Sequence, residues 1–225
     1  RQSLEIFGTM GTWWFSLVNL KSAYWQVSMC PESAEKTAFI TPGGLWQFKV
    51  LPFGLAGAPM TFSRLMSEVL KGLLWKKCLV YLDDILVFSA TFSDHLEALR
   101  EVFDRLRAAG FKLSPKKCFV GCKEVKYLGH YVSADGIKVD DKKVAAVRDY
   151  PQPKTVTEVR AFLGLAGYYR RFICGFAEIA RPLHELTRND ITFKWTERHQ
   201  TAFDILKQKL TEAPILVYPD FGKPY

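Results

Sequence analysis

The chain has 225 residues, 48% of them hydrophobic and 24% charged, with a formal net charge of +8. That composition belongs to a globular chain of one large or two small domains, and it excludes a disordered or collagen-like one. No run approaches 18 uninterrupted apolar residues, so no membrane-spanning helix and no membrane partner are expected.

"WFSLVNL" (14–20) reads as a strand entering a buried site. "KTAFI" and "LWQFKV" are short β-rich runs separated by "TPGG", which predicts a hairpin. From Ala58 to Leu70 the pattern turns helical, with Phe62, Leu65, Met66, Val69 and Leu70 on one face and Pro59 near the start. "CLVY" and "ILVFS" are apolar strands. A helix is predicted from Ser93 to Ala109, with Leu96, Leu99, Phe103 and Leu106 as its apolar stripe and Gly110 as its stop. Short strands fill 118–139. After Asp140 the chain turns mostly helical. Pro151 and Pro153 interrupt it, Thr155 or Thr157 caps the next helix, and another runs from Glu197 to Leu210. Pro214, Pro219 and Pro224 mark extended segments. The chain begins at Arg1 without a signal pattern and stops without a closing element, so it reads as cut from a longer one.

Five scattered cysteines exclude a disulfide scaffold and favour a reducing, intracellular setting, cytoplasmic or nuclear. Cys118 and Cys122 form a single CxxxC without a second pair, which fits core or surface thiols better than zinc. The positive charge fits a nucleic-acid partner and, equally, a solvated basic surface. Lys116, Lys117, Lys123 and Lys126 lie close together and admit the same two readings.

The sharpest local feature is "LVYLDDILVF" (79–88), where Asp83 and Asp84 sit side by side among eight apolar or aromatic residues. Burying a bare carboxylate is costly. Neighbouring strand residues point to opposite faces, so two adjacent acids share a site only where the strand bends. Two apolar strands with the acids at the tip of a hairpin satisfy this. Carboxylates held close repel, and one keeps its proton unless a cation lies between them. Mg2+ takes oxygen ligands and often needs only one or two carboxylates plus substrate phosphates. A basic chain with such a tip fits phosphoryl transfer on a nucleic acid; an exposed acidic turn is the plain alternative.

"YLDD" (81–84) resembles the palm motif of reverse transcriptases, and "LPFGLAGAP" (51–59) is similar to the LPFGL-x-x-AP signature of Ty3/gypsy-type retroelement polymerases. "FSLVNLKSAYWQV" (15–27) resembles their first catalytic strand and turn, and "YLGHYVSADGI" (127–137) their primer grip. "VRAFLGLAGYYRRFICGFAEIARPL" (159–183) resembles the thumb and connection, and "FKWTERHQTAFDILKQKLTEAPILVYPD" (193–220) the entry into the RNase H-like domain. These six segments, in family order, cover nearly the whole chain.

The resemblance implies an α+β fold: a right-hand polymerase palm with an antiparallel sheet and packed helices, followed by a mostly helical thumb/connection. It implies a palm over 1–139, thumb/connection over 140–190 and the start of an RNase H-like domain over 191–225. The implied activity is RNA-directed DNA synthesis on an RNA template and DNA primer from dNTPs. Two Mg2+ ions, or Mn2+ in their place, would serve nucleotidyl transfer to the primer 3′-hydroxyl. The family pattern makes Asp83 and Asp84 metal ligands and catalytic acids. It makes Tyr24 the ring that blocks a ribose 2′-hydroxyl, and Pro52 and Phe53 neighbours of the incoming base. Leu128 and Gly129 become the primer grip. Gly164, Leu165, Arg170 and Arg171 fall on thumb-like helices that track the duplex. Without the resemblance, Tyr24 reads as a core aromatic, and the thumb residues read as ordinary packing and solvation. Protease, RNase H and integrase are the implied companions in a parent polyprotein.

The chain departs from the pattern at position 19, where FS-x-x-D-L requires a third carboxylate and Asn19 stands instead. An amide oxygen can coordinate a cation but brings no charge, so impaired catalysis is expected. Ala23 replaces a commoner glycine. Most of the basic fingers that precede the first catalytic strand are expected to be missing. A catalytically dead copy and a domesticated nucleic-acid-binding or interaction module are the rival readings.

Overall fold

The computed structural model describes residues 14–188 and 190–212. The predicted extended segments around Pro214, Pro219 and Pro224 lie outside the described residues. Two compact units divide the chain, one ending at Tyr127 and one beginning at Leu128.

The first unit runs β1 (Trp14–Asn19), α1 (Pro31–Ala34), β2 (Phe39–Thr41), β3 (Gly44–Trp46), α2 (Ala58–Val69), β4 (Cys78–Tyr81), β5 (Asp84–Ser89), α3 (Phe92–Ala108), β6 (Phe119–Cys122) and β7 (Glu124–Tyr127). Four strands form an antiparallel sheet in the order β4-β5-β1-β6, and β2 and β3 form the separate hairpin that "TPGG" predicted. Alternation along the sheet sends Val18, Leu20, Ile85 and Val87 into one core with Phe62, Met66 and Leu70 of α2 and Ala98, Leu99, Val102 and Leu106 of α3. Asn19 and Asp84, cross-strand partners, stand on the opposite parity. The site therefore lies off the face that the helices cover.

α2 carries Pro59 in its first turn, where no intrahelical N–H is lost, and buries Ala58, Phe62 and Met66 at four-residue spacing. α3 starts at Thr91, whose Oγ1 accepts the Asp94 N–H at 3.2 Å, and Gly110 (φ 77°) follows its end. Its buried face differs from the predicted stripe: Leu96 is exposed, and His95 is fully buried.

The reason is a polar network reaching in from the sheet. The His95 ring lies 2.7 Å from Ser16 Oγ and 3.0 Å from Ser89 Oγ. Ser89 spends its proton on the Thr91 carbonyl, so its oxygen accepts from His95 Nδ1–H, leaving Nε2 to accept from Ser16. Ser16 Oγ also accepts the Gly121 N–H at 2.9 Å. One neutral imidazole thus ties α3 to β1, β5 and β6.

Burial holds the His95 pKa below its ordinary value. Because the folded value is the depressed one, this stabilisation is complete above the unfolded pKa near ~6.5. It is lost as pH falls through the folded value, at up to about 1.4 kcal/mol per pH unit. Urea midpoints at pH 7.5 and 5.5 should separate in the parent and move closer together in His95→Gln; an equal separation in both would remove His95 as the cause.

The second unit opens with the hairpin β8 (His130–Ser133) and β9 (Gly136–Val139), then continues with α4 (Asp141–Arg148), α5 (Val156–Tyr168), α6 (Phe176–Glu185) and α7 (Glu197–Thr211). Asp140 caps α4, and Thr155, of the two predicted candidates, caps α5. α7 packs against α4 and α6. The core holds Val159, Phe162, Ala166, Leu183, Phe203 and Leu206, with the Phe162 and Phe203 rings 4.5 Å apart.

Candidate active site

The β4–β5 hairpin closes at the Tyr81–Asp84 pair, leaving Leu82 and Asp83 as the turn. Leu82 takes φ 53°, a left-handed conformation that costs a branched side chain roughly 1–2 kcal/mol. That bend brings two adjacent acids to one site. The Asp83 carbonyl accepts the Leu20 N–H at 3.0 Å, fastening the turn to the end of β1.

Register then sets Asn19 beside both acids. Its Nδ2 donates to Asp84 Oδ1 at 2.8 Å and to Asp83 Oδ2 at 3.1 Å. Asn19 is buried, and Asp83 and Asp84 are half-buried. The Asn19 backbone is also held, its N–H by Cys118 Sγ at 3.4 Å and its carbonyl by the Ser114 N–H at 2.8 Å. The side-chain Oδ1 is buried without a hydrogen-bond partner. Tyr127 is likewise buried with its hydroxyl unpartnered. Burial, and then the Asp84 charge, push its pKa far up, so the phenol stays protonated.

A pocket of about 610 Å³ opens beside the turn, lined by Asn19, Lys21, Tyr24, Phe53, Asp83 and Lys117 among others. Tyr24 is half-buried, and its ring lies 5.3 Å from both the Phe53 and Phe62 rings. It is at once a core contact and a pocket wall. Phe53 is exposed on this wall, whereas Pro52 is buried and does not line it. Sequence reasoning missed Lys21, and it read Lys117 only as part of a basic group, phosphate-facing or solvated, without placing it at this pocket. Lys117 arrives because the loop before β6 bonds back to Asn19 and to Leu20. Lys123, from the same basic group, instead sits 3.4 Å over the Trp14 ring.

Leu128, Gly129, Arg170 and Arg171 belong to the second unit. Leu128 (φ 49°) and Gly129 (φ 77°) make the turn before β8, and the Tyr168 hydroxyl donates to the Leu128 carbonyl at 2.7 Å. A Cβ on Gly129 would meet that hydroxyl at 3.0 Å. Gly129→Ala should therefore cost about 1–3 kcal/mol by urea unfolding, with strain and contact adding. An unchanged midpoint would show that the turn relaxes freely. Arg170 and Arg171 are exposed on a short 3-10 turn.

Residues 4–132 match the family described as "Reverse transcriptase (RNA-dependent DNA polymerase)". The chain belongs to the reverse transcriptase family. Its relatives make it a gypsy-like retrotransposon reverse transcriptase. It is 42% identical over 223 residues to the retrovirus-related Pol polyprotein from transposon 297 of Drosophila melanogaster, covering 98% of this chain and 21% of that protein. Against the Pol polyprotein from transposon gypsy of the same fly, identity is 40%, with 94% and 22% covered. This reverse transcriptase chain thus spans about a fifth of the length of these relatives. Among solved structures, a foamy viral protease–reverse transcriptase in complex with dsDNA matches at a TM-score of 0.86 and 28% identity, covering 96% of this chain and 38% of that one. The foamy viral enzyme in complex with an RNA/DNA hybrid matches at 0.84 and 29%, covering 96% and 30%. The α+β polymerase fold follows from these likenesses together with the antiparallel sheet and packed helices.

The family uses divalent metal ions. The residues here do not fit a pair of them: the turn offers two carboxylates, and the third group is an N–H donor aimed at both. Its one coordinating atom, Oδ1, is buried without a partner.

Proposed function

We propose that this chain is the palm (1–139), thumb/connection (140–190) and RNase H entry (191–225) of a retroelement RNA-directed DNA polymerase. It holds a DNA primer on an RNA template, with nucleotidyl transfer impaired at Asn19. One observation carries the reading: β1 and the β4–β5 turn bring position 19 and both acids together beside a pocket walled by Tyr24 and Phe53. Similar chains bound to dsDNA and to an RNA/DNA hybrid support a duplex ligand. The net charge of +8 supports it independently. The parent polyprotein carries RNase H, protease and integrase alongside.

In this reading Tyr24 excludes the ribose 2′-hydroxyl, Phe53 flanks the incoming base, Leu128 and Gly129 hold the primer end, and Arg170 and Arg171 follow the duplex backbone. Asn19 also favours a second reading, a module that retains the duplex but does not extend it.

Titrating a labelled RNA–DNA duplex at several salt concentrations tests the binding claim. Affinity should fall steeply with salt, with a log–log slope of about −0.9 per phosphate neutralised on B-form DNA. Binding absent at low salt, or indifferent to salt, removes the nucleic-acid reading. Primer extension by the same sample separates polymerase from module.

A further inference from the structure

Two carboxylates at one turn require positive charge or hydrogen-bond donors between them. Among the described residues, no lysine or arginine forms an ion pair with Asp83 or Asp84. The chain supplies a neutral donor. A side-chain amide nitrogen carries two protons, and Asn19 directs one to each acid, at 2.8 and 3.1 Å. With no cation between the acids, they favour this orientation of the amide, since exchanging its ends would aim Oδ1 at both carboxylates. The orphaned Oδ1 on the buried side is what that orientation costs. An aspartate at 19 would add a third anion and no donor.

We propose that Asn19 replaces the divalent cation at this turn: its amide clamps Asp83 to Asp84, so the acidic tip is organised without metal. A divalent ion then enters only by displacing the amide. The inference deepens the reading of this site as a polymerase site and rests on it. It turns the missing carboxylate from a simple loss into a substitution that keeps the hairpin seated.

Asn19 and Asn189 are the only asparagines in the chain, so 15N-asparagine labelling yields two side-chain amide pairs. The Asn19 pair should exchange with solvent at least ~10-fold more slowly than a free amide, and millimolar Mg2+ should leave it unmoved. Exchange at the free-amide rate, or a shift saturating at micromolar Mg2+, overturns the clamp. This measurement uses the parent alone and stands even if variants fail to fold.

Mn2+ binding followed by electron paramagnetic resonance gives the second arm. Asn19→Asp should bind Mn2+ at least ~10-fold more tightly than the parent, with Asn19→Ala between them. In metal-free buffer both variants should melt below the parent, and Mn2+ should close the gap for Asn19→Asp only. Equal Mn2+ affinity in parent and Asn19→Asp, or a metal-free Asn19→Ala as stable as the parent, overturns the proposal. Duplex binding by the parent tests the polymerase reading separately, because neither the exchange rate nor the Mn2+ affinity depends on a nucleic acid.

Discussion

Phe62→Ala is expected to remove about 3–5 kcal/mol of stability, the usual cost of emptying a buried aromatic site. A domain of ordinary stability holds only about 5–15 kcal/mol in total, so the loss should be visible as a large drop in urea midpoint. Phe62 is fully buried on the inner face of α2, between the Tyr24 ring at 5.3 Å and the Phe111 ring at 6.1 Å. Its removal strips Tyr24 of its inner wall. The pocket should lose shape as the core loses volume. Phe62→Leu keeps most of the apolar volume and should cost markedly less. Circular dichroism against urea gives both values. If the alanine variant unfolds within ~1 kcal/mol of the parent, α2 is not seated on the sheet through Phe62, and Tyr24 is held by other contacts.

Much of this arrangement was legible beforehand, for local reasons. The apolar runs on either side of Asp83 and Asp84 required strands, and two adjacent acids required a bend, which Leu82 supplies. The four-residue spacing of Phe62, Met66 and Leu70 placed α2, and the start of α5 was narrowed to Thr155 or Thr157, of which Thr155 is the cap. α3 was harder. Leu96 continues the apolar stripe on paper, yet His95 takes the buried position because Ser16, far away in sequence, and Ser89, six residues before it, offer its ring two partners. Lys117 reaches the pocket through the long-range bonds of its loop to Asn19 and Leu20, which no local pattern reports. Asn19 was read as a missing charge. That its amide turns its nitrogen to both acids depends on what surrounds it in three dimensions, and an amide carries no such preference in its own composition.

The largest functional effect is expected from restoring the carboxylate. In a chain extended at its N-terminus with a family-like fingers segment, Asn19→Asp should raise templated synthesis at least ~10²-fold over the Asn19 parent, a barrier difference of roughly 2.7 kcal/mol. The added oxygen ligand and the lost donor act together. Asn19 Nδ2 no longer occupies the approach to Asp83 and Asp84, and three anions hold a divalent ion where two anions and an amide hold each other. The rate of the variant should also depend more steeply on Mg2+ than that of the parent. Adding Asp83→Asn to the Asn19→Asp chain should abolish the gain, since the turn then has one acid fewer on the side facing the pocket. Tyr24→Val in the active variant should lower the ratio of dNTP to rNTP incorporation; an unchanged ratio with activity retained would assign Tyr24 to the core alone. Primer extension at fixed template–primer occupancy keeps binding out of the comparison. Equal rates for the Asn19 parent and Asn19→Asp would mean that position 19 takes no part in the reaction. The low activity expected of this chain would then have to arise outside the acidic turn.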